Sequence, residues 1–415
     1  MAALGTTAGN GERLHALDAV RAFALLLGVV HHATLSFIPG AVVTLYAPVE
    51  DVSPSVLLML VSFVGHNFRL PLFFMMAGFF AQMMVRRRGV PGFWADRLQR
   101  VLVPLIVGWA VFYPCVVVIW NWGFTGHFER VPIFSEPVWL GGFPLSYFWF
   151  LYYLLVFYAL ALGVRSVVLW LDTRGGLRRA ADRLVREVVE KRWAGLPLLS
   201  VPVAAGLLSE RGWSIVDGIV TPNHSLIPQL LPLLGYGLAF SLGWMVRRNE
   251  GLLNVWRDRW KSYLAMAVLA TFLTLCTLAL RDVPAATAYL PLERRVFVVL
   301  YALASWCWVF GLTGFALRFL NRPSVVCRSV ADASYWIYLV HYPLVLASQV
   351  VLSGLQVHWA LKFVAILAVT LTIALVSYRY LVRPTFIGAV LNGRRLVGNL
   401  QPPAGVPAKD AVRSS

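Results

Sequence analysis

The residues best equipped for chemistry lie inside an apolar run, "LDAVRAFALLLGVVHHATLSF" at 17–37. Read as a helix, Arg21 and His32 are eleven residues apart, about 16 Å of rise and three turns with only ~20° of drift, so their side chains share a face. Asp18 lies one turn before Arg21, Gly28 opens a shallow slot one turn before His32, and His31 points ~100° away. Imidazole suits acid/base work near neutral pH, and a guanidinium grips phosphate or carboxylate with paired hydrogen bonds. An extended pantetheine arm has about the length of this stripe, with a phosphate at Arg21 and a thioester at His32. The alternative is structural: Arg21 snorkels to a membrane surface and His32 hydrogen-bonds a neighbouring helix.

Similar groups recur along the chain. In "FWADRLQRVLVPL", Arg97 and Arg100 are spaced i, i+3 at the start of an apolar segment; they suit a phosphate or carboxylate, or they are ordinary boundary arginines. In "ASYWIYLVHYPLVL", Ser334, Tyr338 and His341 form a polar stripe at i, i+4, i+7, for interhelical hydrogen bonding or for chemistry. In "SFVGHNFRLPLFF", His66 and Arg69 fall toward the outer end of a span, since Arg69 is about 25 Å along the helix from Arg86. There they face an anionic or sugar ligand, or Arg69 reaches the outer headgroups. Glu293, beside Arg294 and Arg295, sits at an outer mouth, as an acceptor site or a local ion pair. No phosphate loop, dinucleotide fingerprint, HExxH or serine elbow is present. Cys115, Cys276, Cys307 and Cys327 are widely separated, which predicts neither a disulfide framework nor a metal site.

The elements that must carry these groups are membrane helices. Of the 415 residues, 59% are hydrophobic and 13% charged, too apolar for a soluble domain. The expected fold is all-α and polytopic, with about ten transmembrane helices near 17–38, 56–85, 101–120, 145–170, 195–209, 227–246, 263–280, 294–317, 333–353 and 358–380. The segment at 195–209 is short and contains two prolines, and that at 56–85 is long for one straight crossing. The opening "MAALGTTAGNGE" lacks the pattern of a cleavable signal. Net charge is +17, but the basic residues cluster between apolar runs, which reads as retained cytoplasmic loops and not as nucleic-acid binding. One assignment leaves only Arg69, Arg130, Arg211, Arg281, Arg294, Arg295 and Lys362 off the basic side, so both termini are expected in the cytoplasm. The loop "DTRGGLRRAADRLVREVVEKRW" is basic and amphipathic, suited to anionic lipid or to a solvated linker helix. Residues 1–385 read as one transmembrane domain and 386–415 as a cytoplasmic tail, disordered at its end.

These segments resemble acyltransferase family 3, integral membrane O-acyltransferases. The matching elements are "LDAVRAFALLLGVVHH", with the family's Arg, ten residues, His pattern at Arg21 and His32; "FRLPLFFMMAGFF"; "RLQRVLVPL", like its Arg-x-x-Arg; "SYFWFLYYLLV", which contains Trp149; and "ASYWIYLVHYPLVL". They occur in the family's order from residue 13 to about 345, and they are most similar to members that succinylate periplasmic glucans. The resemblance implies a bacterial inner-membrane enzyme with cytoplasmic acyl-CoA, succinyl-CoA or acetyl-CoA, as co-substrate and no permanently bound cofactor. Together with the residue patterns above, it implies His32 and Asp18 as catalytic residues, Arg21, Gly28, Arg97 and Arg100 at the donor, and Arg69, His66, Trp149, Glu293 and His341 at the acyl group or acceptor. The acceptor would be a hydroxyl of a periplasmic glucan, or of another envelope polysaccharide or glycolipid. A proton-coupled transporter also fits helices with buried His and Arg, but no duplicated halves are visible. A third reading has the chain carry the acyl group across the membrane for a separate enzyme.

Overall fold

A computed structural model of the chain describes residues 8–40, 47–128, 142–210, 218–219, 221–222, 224–280, 290–322 and 325–392. These residues form twelve α-helices. They are α1 (Ala8–Thr34), α2 (Val56–Arg97), α3 (Val103–Thr125), α4 (Trp149–Leu171), α5 (Gly176–Glu190), α6 (Arg192–Ser209), α7 (Leu230–Arg248), α8 (Leu253–Leu280), α9 (Leu290–Phe319), α10 (Val325–Leu352), α11 (Trp359–Ser377) and α12 (Phe386–Asn392). No strand occurs among the described residues apart from an isolated bridge between Gly142 and Ser225. Arg130, Arg211 and Arg281 fall outside the described residues, as do the side chain of Cys327 and the tail from 393 onward.

Eight helical segments are long and apolar enough to cross a bilayer, and a ninth arises if α5 and α6, bent by 102°, count together. The difference from ten has two sources. The segments expected at 56–85 and 101–120 belong to a single helical run, Val56–Thr125, of 70 residues. At ~1.5 Å per residue that run far exceeds a hydrocarbon core of ~30 Å. It breaks at Gly89, whose φ of 69° takes it out of the helical region, and near its far end Gly123 lies against Pro48, just ahead of its start. The run therefore goes out and returns. The short proline-containing segment at 195–209 passes only together with α5.

Packing centres on α1, which lies against α2, α9 and α10, while α2 runs along α7 and α8 along α9. Gly78 of α2 and Gly243 of α7 each face the other helix's backbone so closely that a Cβ would collide with a carbonyl oxygen, of Phe240 and Met75 respectively. Small residues allow this approach where lipid supplies no hydrophobic drive between helices.

Prolines inside the helices make further joints. A proline lacks an N–H, so the carbonyl four residues earlier loses its donor, and in lipid that carbonyl must be satisfied by protein. Pro71 frees the Asn67 carbonyl, which accepts from Ser305 Oγ at 2.9 Å. Pro104 frees that of Arg100, which accepts from the Tyr335 hydroxyl at 2.6 Å. Pro343 frees that of Leu339, which accepts from the Tyr147 hydroxyl at 2.6 Å. Three interhelical joints, α2 to α9, the start of α3 to α10, and α10 to the segment before α4, thus surround the polar interior.

At the end away from Arg21, Asp51 and Lys362 form a buried ion pair at 2.5 Å. Asp51 also donates its amide to the Ser36 carbonyl at 2.8 Å, so the pair fastens the segment before α2 to α1 and α11. The tail expected from 386 begins as α12, whose Leu391 is buried.

Candidate active site

Two cavities lie end to end among α1, α2, α4 and α10. The first, about 410 Å³, is lined by His31, His32, His66, His341 and Arg69, with Ser62, Trp149 and Tyr342. The second, about 300 Å³, is lined by Arg21, Arg97 and Arg100, with Tyr158, Ser334 and Tyr335. Leu25, Phe73, Phe150 and Tyr338 line both and form an apolar collar between them. Phe73 meets Phe150 edge to face with ring centroids 4.7 Å apart, and Phe150 lies 5.8 Å from Tyr338.

In the histidine cavity, α1 supplies His31 and His32, and α2 supplies Ser62, His66 and Arg69 at i, i+4 and i+7. Asn67, on another face of α2, donates to the Tyr301 carbonyl at 3.0 Å and fixes the rotation of that helix. The His31 ring stacks on His66 at 5.1 Å, and its Nδ1 is 3.0 Å from Ser62 Oγ. His32 is 5.3 Å from His341 and 4.7 Å from Tyr342, ring to ring. Gln349 of α10 donates to the His32 carbonyl at 2.9 Å, holding the end of α1 in place. The backbone before α4 is unusual: Ser146, with φ of 49°, is the one non-glycine residue with positive φ among the described residues. It lies in the cavity wall directly ahead of Tyr147 and Trp149. Buried Trp149 stacks on Tyr236 at 5.7 Å.

Arg69 is only 7% exposed, and its Nε and Nη1 have no hydrogen-bond partner among the described residues. Its position corrects the expectation of an outer-end arginine: it lies across from Gly28, where a Cβ would be 3.5 Å from Arg69 Nη1. The Gly28 slot thus belongs to the histidine cavity and accommodates a side chain from α2. The placement of His31 is likewise corrected. It does not look away from His32 but lines the same cavity, because α2 and α10 embrace more of α1 than one helical stripe.

In the basic cavity, a buried carboxylate organises the arginines. Asp96, with its side chain 5% exposed, meets Arg97 at 2.9 Å, Arg88 at 3.1 Å and Arg100 at 3.3 Å. Arg97 also lies over the rings of Phe93 and Tyr158 at 5.5 and 5.7 Å. Arg97 ends α2, and Arg100 lies within the π-helical turn, Leu98–Leu102, that leads into α3. Arg21 joins them from α1, 5.2 Å over Phe80 and 3.3 Å from Asp18.

The structure therefore gathers Arg21, Arg97 and Arg100 at one cavity, and His32, His66, Arg69, Trp149 and His341 with Gly28 at the other. It does not bring Asp18 to His32: fourteen residues of α1 separate them, about 21 Å, and Asp18 pairs with Arg21. Glu293 lines neither cavity, and its neighbour Arg294 donates to the Glu210 carbonyl at 3.0 Å. The polar stripe of α10 is real and long: Ser334 faces the basic cavity, Tyr338 the collar and His341 the histidines. Asp96 escaped the sequence reading, although an acid placed i, i+4 from Arg100 in "ADRLQR" was its signal. The clustered histidines do not amount to a metal centre, since among the described residues no three His, Cys, Asp or Glu side chains converge as ligands.

Relatives named glucans biosynthesis protein C include one from Escherichia coli O6:K15:H31 (strain 536 / UPEC) and one from Shigella dysenteriae serotype 1 (strain Sd197). Each is 23% identical over 396 residues, covering 93% of this chain and 96% of the relative. That of Escherichia coli O139:H28 (strain E24377A / ETEC) is 22% identical over the same extent. No solved structure gives a significant match. The family model described as an acyltransferase domain matches residues 14–379, from ahead of Asp18 and Arg21 through α11, and takes in the histidine cavity and every residue of the basic cavity except Leu391. A bundle of apolar helices enclosing that domain is a membrane acyltransferase, and the chain belongs to acyltransferase family 3.

Proposed function

We propose that the protein takes a succinyl group from succinyl-CoA in the cytoplasm and transfers it to a hydroxyl of a periplasmic glucan, from a place in the bacterial inner membrane with both termini cytoplasmic. Residues 1–385 act as one transmembrane unit, and 386–415 extend from it on the cytoplasmic side. The observation that carries this reading is the pair of cavities meeting at one apolar collar, arginines on one side and histidines on the other.

Each half has a physical rationale. Arg21, Arg97 and Arg100 hold the diphosphate and phosphate of CoA by charge-assisted hydrogen bonds. The pantetheine arm follows α1 through the collar, so the thioester arrives near His32, about 16 Å along the helix from Arg21. His32 either removes the proton of the attacking hydroxyl or accepts the acyl group itself. A buried guanidinium is costly in a membrane interior, about 2.5–3.5 kcal/mol on insertion scales, and such groups mark function. The free carboxylate of a succinyl group supplies the anion that Arg69 lacks. The histidine cavity reaches Ile38, Met59 and Thr221, toward the end away from Arg21, where the acceptor enters.

The test uses protein purified into lipid nanodiscs and given succinyl-CoA or acetyl-CoA, with release of CoA thiol as readout. Succinyl-CoA is expected to be consumed faster. Faster use of acetyl-CoA would make this an O-acetyltransferase, and no use of either, with solute counterflow instead, would make it a transporter. Mass analysis of periplasmic glucans from a deletion strain identifies the acceptor by the loss of succinyl groups.

A further inference from the structure

The backbone fixes the position of a proton on His341. Its Nδ1 is 2.7 Å from the Tyr338 carbonyl oxygen. A carbonyl only accepts, so Nδ1 carries the hydrogen and donates it. In the neutral ring Nε2 is then the nitrogen with the lone pair, and that Nε2 is buried with no hydrogen-bond partner among the described residues. Arg69 shares the cavity wall, and no carboxylate is among the described residues that line it, so nothing there balances a second proton on the ring.

The carbonyl that sets this tautomer is itself held. Tyr338 donates its hydroxyl to the Tyr147 carbonyl at 2.8 Å, and Tyr147 donates its own to the Leu339 carbonyl freed by Pro343. Two hydrogen bonds in opposite directions thus clamp α10 to the segment before α4 at Tyr338 and Leu339, three and two residues ahead of His341. The ring lies 5.3 Å from that of His32, centroid to centroid, on a different helix, so the two rings border the same cavity side by side.

We propose that His341 is a second catalytic histidine, the general base for the acceptor hydroxyl, with Nε2 as the proton-accepting atom. The proposal rests on the acyl-CoA reading above and assigns the acceptor half of that reaction. Relieved of the hydroxyl's proton, His32 takes the acyl group: its ring nitrogen bonds to the acyl carbon as the carbon–sulfur bond breaks and the electron pair leaves on sulfur. The hydroxyl oxygen then bonds to the acyl carbon while its proton passes to His341 Nε2, and the bond from the acyl carbon to His32 breaks with its electron pair returning to the ring. The thiolate takes the proton from the His341 imidazolium, leaves as free thiol and restores the base.

The experiment compares two nucleophiles with one donor. Protein in nanodiscs receives succinyl-CoA with either methyl glucoside, whose hydroxyls need a base, or hydroxylamine, which attacks without one; products are measured by mass spectrometry after subtraction of the uncatalysed reaction. His341→Asn retains an amide N–H for the Tyr338 carbonyl but has no base. It is expected to lose about 100-fold or more in transfer to the glucoside and to keep transfer to hydroxylamine within about threefold. Equal losses with both nucleophiles, or glucoside transfer within about threefold of wild type, would overturn the proposal. Should His341→Asn not fold, His341→Gln is put to the same comparison. Wild type that uses succinyl-CoA with neither nucleophile fails at the donor reading, which separates that failure from a wrong assignment of the base.

Discussion

Arg97 and Arg100 sit on a buried carboxylate, Asp96, whereas Arg69, also buried, has two guanidinium nitrogens without a hydrogen-bond partner among the described residues. The basic cavity keeps its own counterions: Asp96 for three arginines and Asp18 for Arg21. The described lining of the histidine cavity contains one cation and no anion. An internally balanced site exchanges a carboxylate contact for an incoming phosphate, so it suits a reversible co-substrate. An unbalanced one leaves a buried charge to be completed by what is being transferred. On the function proposed above, the contrast corresponds to different jobs for the two cavities, binding in one and chemistry in the other, and substitutions test whether that division holds.

The largest expected effect is at His32. His32→Ala removes transfer by about 10³-fold or more while CoA affinity, measured by calorimetry, stays within about twofold; loss of affinity as well would merge the two cavities into one. His31→Ala, which removes a ring stacked on His66, is expected to cost about tenfold in rate, since it shapes the wall without reaching His341. Next is Arg69→Met. A hydrogen bond to a charged group contributes about 1.5–3 kcal/mol, so kcat/KM for succinyl-CoA falls about 10- to 100-fold while that for acetyl-CoA changes less than threefold. Equal losses for the two donors would assign Arg69 to something other than the acyl carboxylate.

How much of this was visible beforehand differs between the cavities. The three arginines that line the basic cavity are legible in the sequence, because an i, i+3 pair and a boundary arginine on one helical face are local patterns. The histidine cavity was only half legible. A helical wheel of α1 alone separates His31 from His32, yet three helices close around that region, so a ~100° difference still faces the same space. Gly28 and Arg69 are assigned separately from the sequence because nothing local shows that they face each other across one cavity. Asp96 was overlooked as one acid in a basic segment, and its importance comes from burial. The prolines are visible in the sequence but their partners are not: Pro71, Pro104 and Pro343 release carbonyls that hydroxyls on other elements then bind. The helices themselves were legible because span length is fixed by the bilayer, but the bend at Gly89 was not.

Smaller effects probe the basic cavity. Arg97→Ala and Arg100→Ala are each expected to weaken CoA binding about tenfold with turnover at saturating donor within about threefold. Tyr147→Phe leaves the Leu339 carbonyl without its donor, at a cost of about 1–3 kcal/mol, seen as a lower melting temperature in detergent; an unchanged melting temperature would remove that joint from the account. Asp18→Asn ranks last. Its pair with Arg21 is exposed, 36% and 41% on the two side chains, and such pairs contribute little, so both affinity and rate should stay within about twofold. A large loss of transfer would restore Asp18 to the chemical step.

The division of labour is tested most directly by measuring CoA affinity and succinyl transfer on the same preparations of His32→Ala and Arg97→Ala. The account predicts that His32→Ala binds CoA like wild type but does not transfer, and that Arg97→Ala binds weakly but transfers once saturated. Affinity and transfer falling together in both variants would contradict it.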